Sequence, residues 1–243
     1  ALRKILEKLL RDGVIRPSKS PWASAIVMTP KDGGTAWRLC IDYRKLNAMT
    51  KADSYPLPKM NDLVKCYIKG DMFSSIDLTS GYWQVPIRAC DSEKTAFVCP
   101  LGLFEWVRMP FGAKNSGAYF QRVMDEMLAD MQWSKAPTYV DNVGVWSRKG
   151  EDHLVILEKL FRRFRERGVK LNPKKCELAQ RRVAYLGYEI DEHGVRLSDE
   201  RKRAIVEYPA PGDVKQVRRF LGMVGWCRNF IPNFGAVALP LTA

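Results

Sequence analysis

The chain has 243 residues, 46% of them hydrophobic and 28% charged, which is room for about one large domain or two to three compact subdomains of ordinary globular composition. No apolar run approaches the roughly 18–20 residues of a membrane span, so no membrane association is expected. The net charge of +13, from 40 Lys+Arg against 27 Asp+Glu, suits a polyanionic partner, nucleic acid first, or else a plain basic surface.

The chain opens inside a helix pattern, with Leu2, Ile5, Leu6, Leu9 and Leu10 on one face and Gly13 to end it. A piece of a longer protein is therefore expected, and the charges at Arg3, Lys4, Glu7 and Lys8 argue against a signal peptide. Two strand-like runs, Ala25–Thr29 and Trp37–Asp42, flank the hairpin signal Lys31-Asp32-Gly33-Gly34. Tyr55-Pro56-Leu57-Pro58 reads as an extended connector. Phe73–Leu78 reads as a strand, and Thr95–Cys99 with Phe104–Arg108 as a second hairpin.

A helix is predicted from Ser116 to Ala129, then a hairpin around Asp141-Asn142 within Tyr139–Ser147, then an amphipathic helix over His153–Arg167 closed by Gly168. Val183–Ile190 reads as one strand, turned by Glu192-His193-Gly194. From Ser198 the pattern is helical, with Ser198 and Asp213 as N-caps. The order is mixed α+β first, then a small helical module.

Six cysteines form no CxxC pair and only His153 and His193 could join them, so zinc is not expected. The cysteines read as reduced, which suits an intracellular setting. Asp77 ends a strand and Asp141 sits in a strand-turn-strand unit. Convergent carboxylates without His or Cys select hard cations such as Mg²⁺ or Mn²⁺, and two such ions would clamp the oxygens of an in-line displacement. On spacing alone, however, Asp141-Asn142 is ordinary turn chemistry.

Ordered motifs run along the whole chain: Gly13-Val14-Ile15-Arg16-Pro17-Ser18, Trp37-Arg38-Leu39-Cys40-Ile41-Asp42-Tyr43-Arg44-Lys45-Leu46-Asn47 and Tyr55-Pro56-Leu57-Pro58. They continue with Ser75-Ile76-Asp77-Leu78-Thr79-Ser80-Gly81-Tyr82, Lys94-Thr95-Ala96-Phe97, Met109-Pro110-Phe111-Gly112, Leu171-Asn172-Pro173-Lys174-Lys175-Cys176, Tyr185-Leu186-Gly187 and Arg219-Phe220-Leu221-Gly222. With these the chain resembles the reverse transcriptase of gypsy-type LTR retrotransposons.

The resemblance implies an α+β right-hand polymerase fold, with fingers at 1–51 and 85–115, palm at 52–84 and 116–190, and thumb at 191–243. It implies an RNA-directed DNA polymerase that uses two Mg²⁺ or Mn²⁺ ions and dNTPs on an RNA or DNA template with a primer, and that binds RNA/DNA hybrid. A dimer, further Pol domains, and a place in a cytoplasmic particle or the nucleus belong to the same expectation. Asp77 and Asp141 match the metal-binding carboxylates, and Leu78 a carbonyl ligand. Lys175, or Lys174 beside it, matches a proton donor to pyrophosphate. Tyr82 matches the gate against a 2′-hydroxyl, Arg38 the triphosphate grip and Phe111 the wall of the nucleotide pocket. Tyr139 and Gly117 match positions beside primer and template, and Leu186-Gly187-Tyr188 matches the hairpin at the primer end.

Three positions depart from the family pattern. Asn142 stands where a second Asp closes the YxDD turn. Pro30 stands near a fingers lysine, which leaves Lys31 as a substitute. Gly117 replaces a proline in Asn115-Ser116-Gly117-Ala118. Two readings follow: a polymerase, or a co-opted domain that binds nucleic acid or protein without catalysis.

Overall fold

The structure is a computed structural model that describes residues 1–68 and 70–242; Lys69, within the expected palm, and Ala243, at the end of the expected thumb, lie outside the described residues. Helix α1 (Leu2–Arg11) buries Leu6 and Leu9, and Gly13 follows at φ 65°. Strand β1 (Ile15–Pro17) precedes the hairpin of β2 (Ser24–Lys31) and β3 (Ala36–Ile41), which turns through Gly33 and Gly34 at positive φ. Helices α2 (Arg44–Met49) and α3 (Met60–Tyr67) come next. Neither is among the predicted elements. α2 fully buries no side chain, and α3 is too short to show a long apolar stripe.

Strand β4 (Met72–Asp77), the short helix α4 (Ala89–Ser92), β5 (Phe97–Cys99), β6 (Gly102–Trp106) and helix α5 (Ser116–Met127) form the middle of the chain. They are followed by β7 (Thr138–Tyr139), β8 (Asn142–Ser147), helix α6 (His153–Glu166) and β9 (Glu177–Gln180). The expected single strand Val183–Ile190 is two, β10 (Arg182–Tyr185) and β11 (Tyr188–Asp191), because Leu186 (φ 51°) and Gly187 (φ 80°) reverse the chain. Strand β12 (Gly194–Leu197) completes that sheet, and the helical tail starts directly after it, from Ser198 as the pattern predicts. The tail is α7 (Asp199–Val206), α8 (Val214–Trp226) and α9 (Phe234–Ala238). Ser198 and Asp213 cap α7 and α8 as predicted, accepting from the backbone N–H of Arg201 and Gln216.

The sheets run β1-β6-β5-β2-β3, β10-β11-β12 and β7-β8-β4-β9. The four-stranded sheet is covered on both faces. Ile76, Val143 and Val145 pack on Phe120 and Met124 of α5 and on Leu157, Leu160 and Phe164 of α6. Phe73 and Trp146 of the same strands point the other way, to Leu63, Val64 and Tyr67 of α3 and to Tyr185 and Tyr188. Fully burying each such side chain is worth about 1.5–3 kcal/mol. Gly144 faces Tyr67 so closely that a Cβ there would fall 1.2 Å from the tyrosine hydroxyl oxygen.

The β7–β8 turn is two residues long, since Tyr139 pairs with Asn142. Its first residue, Val140, has φ 54°, a region a β-branched residue enters at a cost of about 1–3 kcal/mol. Buried side chains from α5 and its following turn hold it there. Gln121, fully buried, accepts from Val140 N–H at 2.7 Å and donates to Thr138 C=O at 3.2 Å and Asp125 Oδ1 at 2.8 Å. Gln132 accepts from Thr138 N–H at 2.9 Å and donates to the same Asp125 oxygen at 2.9 Å. Tyr55, in the Pro-rich connector, donates to the other Asp125 oxygen at 2.7 Å.

Gln121→Leu leaves the Val140 N–H buried and unpaired, which lowers stability by about 1–3 kcal/mol. Thermal unfolding should show Tm falling about 2–4 °C per kcal/mol, and an unchanged Tm would mean the amide does not carry the turn. Gly144→Ala drives a methyl into Tyr67 and is expected to cost at least about 3 kcal/mol, read as loss of soluble folded protein or of cooperative unfolding.

Candidate active site

Asp77 is the last residue of β4 and Asp141 the second residue of the β7–β8 turn. The β4–β8 register places Asp77 opposite Asn142, so one carboxylate and the turn bearing the other meet at one end of the sheet. The Leu78 N–H donates to the Asp141 carbonyl at 3.3 Å. Asn142 Nδ2 lies 3.5 Å from Asp141 Oδ1, at the limit of a hydrogen bond. Burial pushes the Asp141 carboxyl up; a backbone N–H bond pulls it back, the Asp77 charge raises it further, and Lys175 opposes that.

Lys175 reaches the site through the loop after α6. Asn172 N–H donates to the Asp77 carbonyl at 2.9 Å, and Thr79 N–H to the Lys170 carbonyl at 2.9 Å. These bonds set the 3₁₀ turn Pro173–Lys175 beside the carboxylates, and Lys175 Nζ stands 3.7 Å from Asp77 Oδ2. Gly81 makes room for Asp141: a Cβ on it would fall 2.8 Å from the Asp141 Cβ. Motif reading gave no role to Gly81, although an isolated glycine just past a strand end signals close approach.

An aromatic layer lies beside the carboxylates. Tyr82, on the 3₁₀ turn Gly81–Gln84, has its ring 4.9 Å from Phe111 and 5.5 Å edge-on from Phe120. Burial raises the Tyr82 phenol, with the Asp141 charge acting in the same direction, so it stays a neutral hydroxyl. A Cβ on Gly117 would lie 3.4 Å from that hydroxyl. Phe111 is 48% exposed above the ring. Asn47 braces the turn that presents Phe111, donating to Gly112 C=O at 2.9 Å and accepting from Lys114 N–H at 2.8 Å. Asn47, Gln121 and Gln132 are the positioning side chains that sequence reasoning missed. The first lies in a quoted motif, and the other two are buried glutamines whose role depends on contacts across the fold.

Of the other predicted site residues, Tyr139 flanks the Asp141 turn, while the rest are carried by other elements. Arg38 is exposed opposite Thr29 and Lys31 pairs with Ala36 at the hairpin tip, both in the five-stranded sheet. Among the described residues no hydrogen bond or ion pair joins Arg38 to Asp77 or Asp141. Tyr139 is half-buried opposite Asn142. Leu186 and Gly187 form the β10–β11 turn, while the Tyr188 side chain is buried and donates to Asn61 Oδ1 at 2.9 Å. On α6, Arg162 is paired with Glu158 and Arg163 with Asp130, so part of that basic face is neutralised within the chain.

The donors at the carboxylate site are all oxygens: Asp77, Asp141, the Asn142 amide and the Leu78 carbonyl. That set fits a hard divalent cation rather than zinc. Among the described residues no group of three or more His, Cys, Asp or Glu is placed to hold a metal ion. The two carboxylates would offset half the charge of two divalent ions.

Among the described residues no helix is long and apolar enough to cross a membrane, and all six cysteines are free thiols. The sequence profile of the family described as "Reverse transcriptase (RNA-dependent DNA polymerase)" matches residues 29–190. The retrovirus-related Pol polyprotein of transposon gypsy from Drosophila melanogaster is 36% identical over 242 residues, covering 98% of this chain and 23% of that polyprotein. The foamy viral protease-reverse transcriptase dRH in complex with double-stranded DNA superposes with TM-score 0.91 at 30% identity, over 99% of this chain and 42% of that one. Its relative in complex with RNA/DNA hybrid gives TM-score 0.88 at 29% identity, over 99% and 32%. This chain thus spans less than a quarter of the curated Pol polyprotein. Its mixed α+β fold is the polymerase fold of the foamy viral enzymes, and the chain belongs to the reverse transcriptase family, as a reverse transcriptase domain of the gypsy-type LTR retrotransposon Pol polyproteins.

Proposed function

We propose that this domain adds dNTPs to the 3′ end of a primer on an RNA or DNA template. The observation that carries the reading is the meeting of Asp77 and Asp141 beside the Tyr82–Phe111 layer. The five-stranded sheet fits fingers at 1–51 and 85–115. The four-stranded sheet with α3, α5 and α6 fits a palm at 52–84 and 116–190. The thumb takes the rest of 191–243, with its helices from α7 onward.

Mg²⁺ or Mn²⁺, bound as a pair by Asp77, Asp141 and the Leu78 carbonyl, would neutralise charge on the attacking and leaving oxygens. The remaining work is positioning and electrostatics. Tyr82 presents a flat neutral ring to the incoming sugar and leaves no room for a 2′-hydroxyl. Phe111 walls the same pocket. Lys175, held near Asp77, gives a proton to the departing pyrophosphate. Arg38 and Lys31, on the hairpin of the fingers, close onto the triphosphate with a guanidinium fork and an ammonium. Leu186-Gly187 offers its turn to the primer, with Tyr188 as its buried anchor, and Tyr139 and Gly117 line the track beside it. The basic surface holds a primer–template duplex by its backbone. The setting is intracellular, and further Pol domains or a dimer would complete the machine.

Asn142 favours a second reading, a nucleic-acid-binding domain without synthesis, because one negative charge is missing from the turn. Primer extension with Mg²⁺ and with Mn²⁺ separates the two. On the polymerase reading, Asn142→Asp extends at least about tenfold faster than the chain as it stands, the equivalent of ~1.4 kcal/mol in the transition state. If neither protein extends a primer, the enzymatic reading fails, and salt-sensitive hybrid binding alone supports the second. In the extending form, Tyr82→Val should admit ribonucleotides at least about tenfold better relative to dNTPs, a loss of discrimination of ~1.4 kcal/mol; unchanged discrimination removes the gate from Tyr82.

A raised folded-state carboxyl favours the folded state only while it is protonated, and that contribution is lost as pH rises through the folded value. Asp141 therefore destabilises the metal-free fold at neutral pH. Asp141→Asn should raise the metal-free Tm at pH 7 while abolishing extension. The gain should shrink as pH falls toward the ordinary Asp value of 3.8. Equal or lower Tm at pH 7 would contradict the burial argument.

A further inference from the structure

The β10–β11 turn is held from behind by one cation. A Cβ built on Gly187 would fall 2.3 Å from Arg201 Nε and 2.8 Å from both Cζ and Nη2. The guanidinium of Arg201, on α7, therefore lies directly against the Gly187 backbone. The same guanidinium lies over Trp226 of α8, with Cζ 3.5 Å from the ring centroid. Trp226 in turn stacks on Tyr188, the residue that follows the turn, at 4.6 Å between centroids. Ser198, the cap of α7, closes the loop by donating its N–H to the Gly187 carbonyl at 3.4 Å. Among the described ion pairs none engages Arg201, so its position is set by the backbone and the indole rather than by a carboxylate.

We infer that Arg201 is a primer-positioning residue: in contact with both Gly187 and Trp226, it fixes the angle between the β10–β11 turn and the α7–α8 helices. The glycine at 187, already favoured by its φ of 80°, then also leaves room for Arg201 rather than for the nucleic acid. The inference rests on the reading of that turn as the primer-holding hairpin. It adds a mechanical link, in which any tilt of α7 and α8 on a duplex moves the turn with it. A planar guanidinium suits the slot between a backbone and an indole, and a lysine ammonium does not.

A double-mutant cycle tests this with Gly187→Ala, Arg201→Ala and the pair, in the full chain. Binding of a fluorescein-labelled RNA/DNA primer–template is read by anisotropy, and thermal unfolding is read separately. Gly187→Ala should weaken binding about tenfold with Arg201 in place and no more than about twofold in the Arg201→Ala background, where only the strain of φ 80° remains. Arg201→Lys should behave like Arg201→Ala. The unfolding cycle should be non-additive in the same sense. Equal loss of affinity from Gly187→Ala in both backgrounds would show that the glycine clears the nucleic acid, and overturn the inference. Additive unfolding would overturn it too. If no variant nor the parent binds the duplex, the primer reading of the turn fails, and the unfolding cycle alone decides whether Arg201 couples the turn to the helices.

Discussion

The antiparallel register of β4 on β8 is the constraint on which the rest of the site depends. It sets Asp77 opposite Asn142 and hence beside Asp141. Because successive side chains alternate faces, a slip by one residue would turn Val143 and Val145 toward Tyr67 and swing Gly144 toward α5 and α6. Neither is tolerable: the first strips the core, and the second removes the glycine that the Tyr67 hydroxyl requires. Covering both faces of one sheet is therefore what aims two carboxylates distant in sequence at one point.

Holding that point works against stability. Val140 adopts a conformation that β-branched residues avoid, and the Asp141 carboxyl is taken out of water next to the Asp77 charge. Gln121 and Gln132 fill the polar demands of the turn backbone and are anchored through Asp125 to the connector at Tyr55, while a backbone N–H and Lys175 offset part of the cost at the Asp141 carboxyl. Asn142 is comfortable in this setting. Its amide keeps the shape of an aspartate and spares the site a third negative charge beside Asp77 and Asp141, which helps the fold and would weaken a hold on two divalent cations. On the polymerase reading, stability and catalysis pull in opposite directions at this one residue.

The helical tail is joined to the sheets by packing more than by charge. Tyr188 stacks on Trp226 and lies 5.6 Å from Phe230 between ring centroids, while Arg201 tops the indole. Aromatic stacking of this kind keeps its contact over a small range of tilt. The turn Leu186-Gly187 thus belongs to the sheet by chain continuity and to the helices by the Ser198 hydrogen bond and the Arg201 contact.

The sequence by itself determined the family, the carboxylate pair, the motif that carries Tyr82 and the amphipathic helices. These are local motifs or periodic patterns, and a periodic apolar face or an ordered motif is visible without neighbours. It also exposed Asn142 and Gly117 as departures. It left α2 and α3 unassigned, for want of a long apolar stripe, and the apolar pattern merged β10 with β11, although the family resemblance marks a hairpin at Leu186-Gly187-Tyr188. Only the tertiary structure decided what surrounds the motifs: Gln121 under Val140, Gly81 against Asp141, Gly117 at the Tyr82 hydroxyl, and Gly187 against Arg201. Each joins elements brought together by packing. A buried amide or a missing Cβ takes its meaning from the partner facing it, and that partner lies elsewhere in the chain.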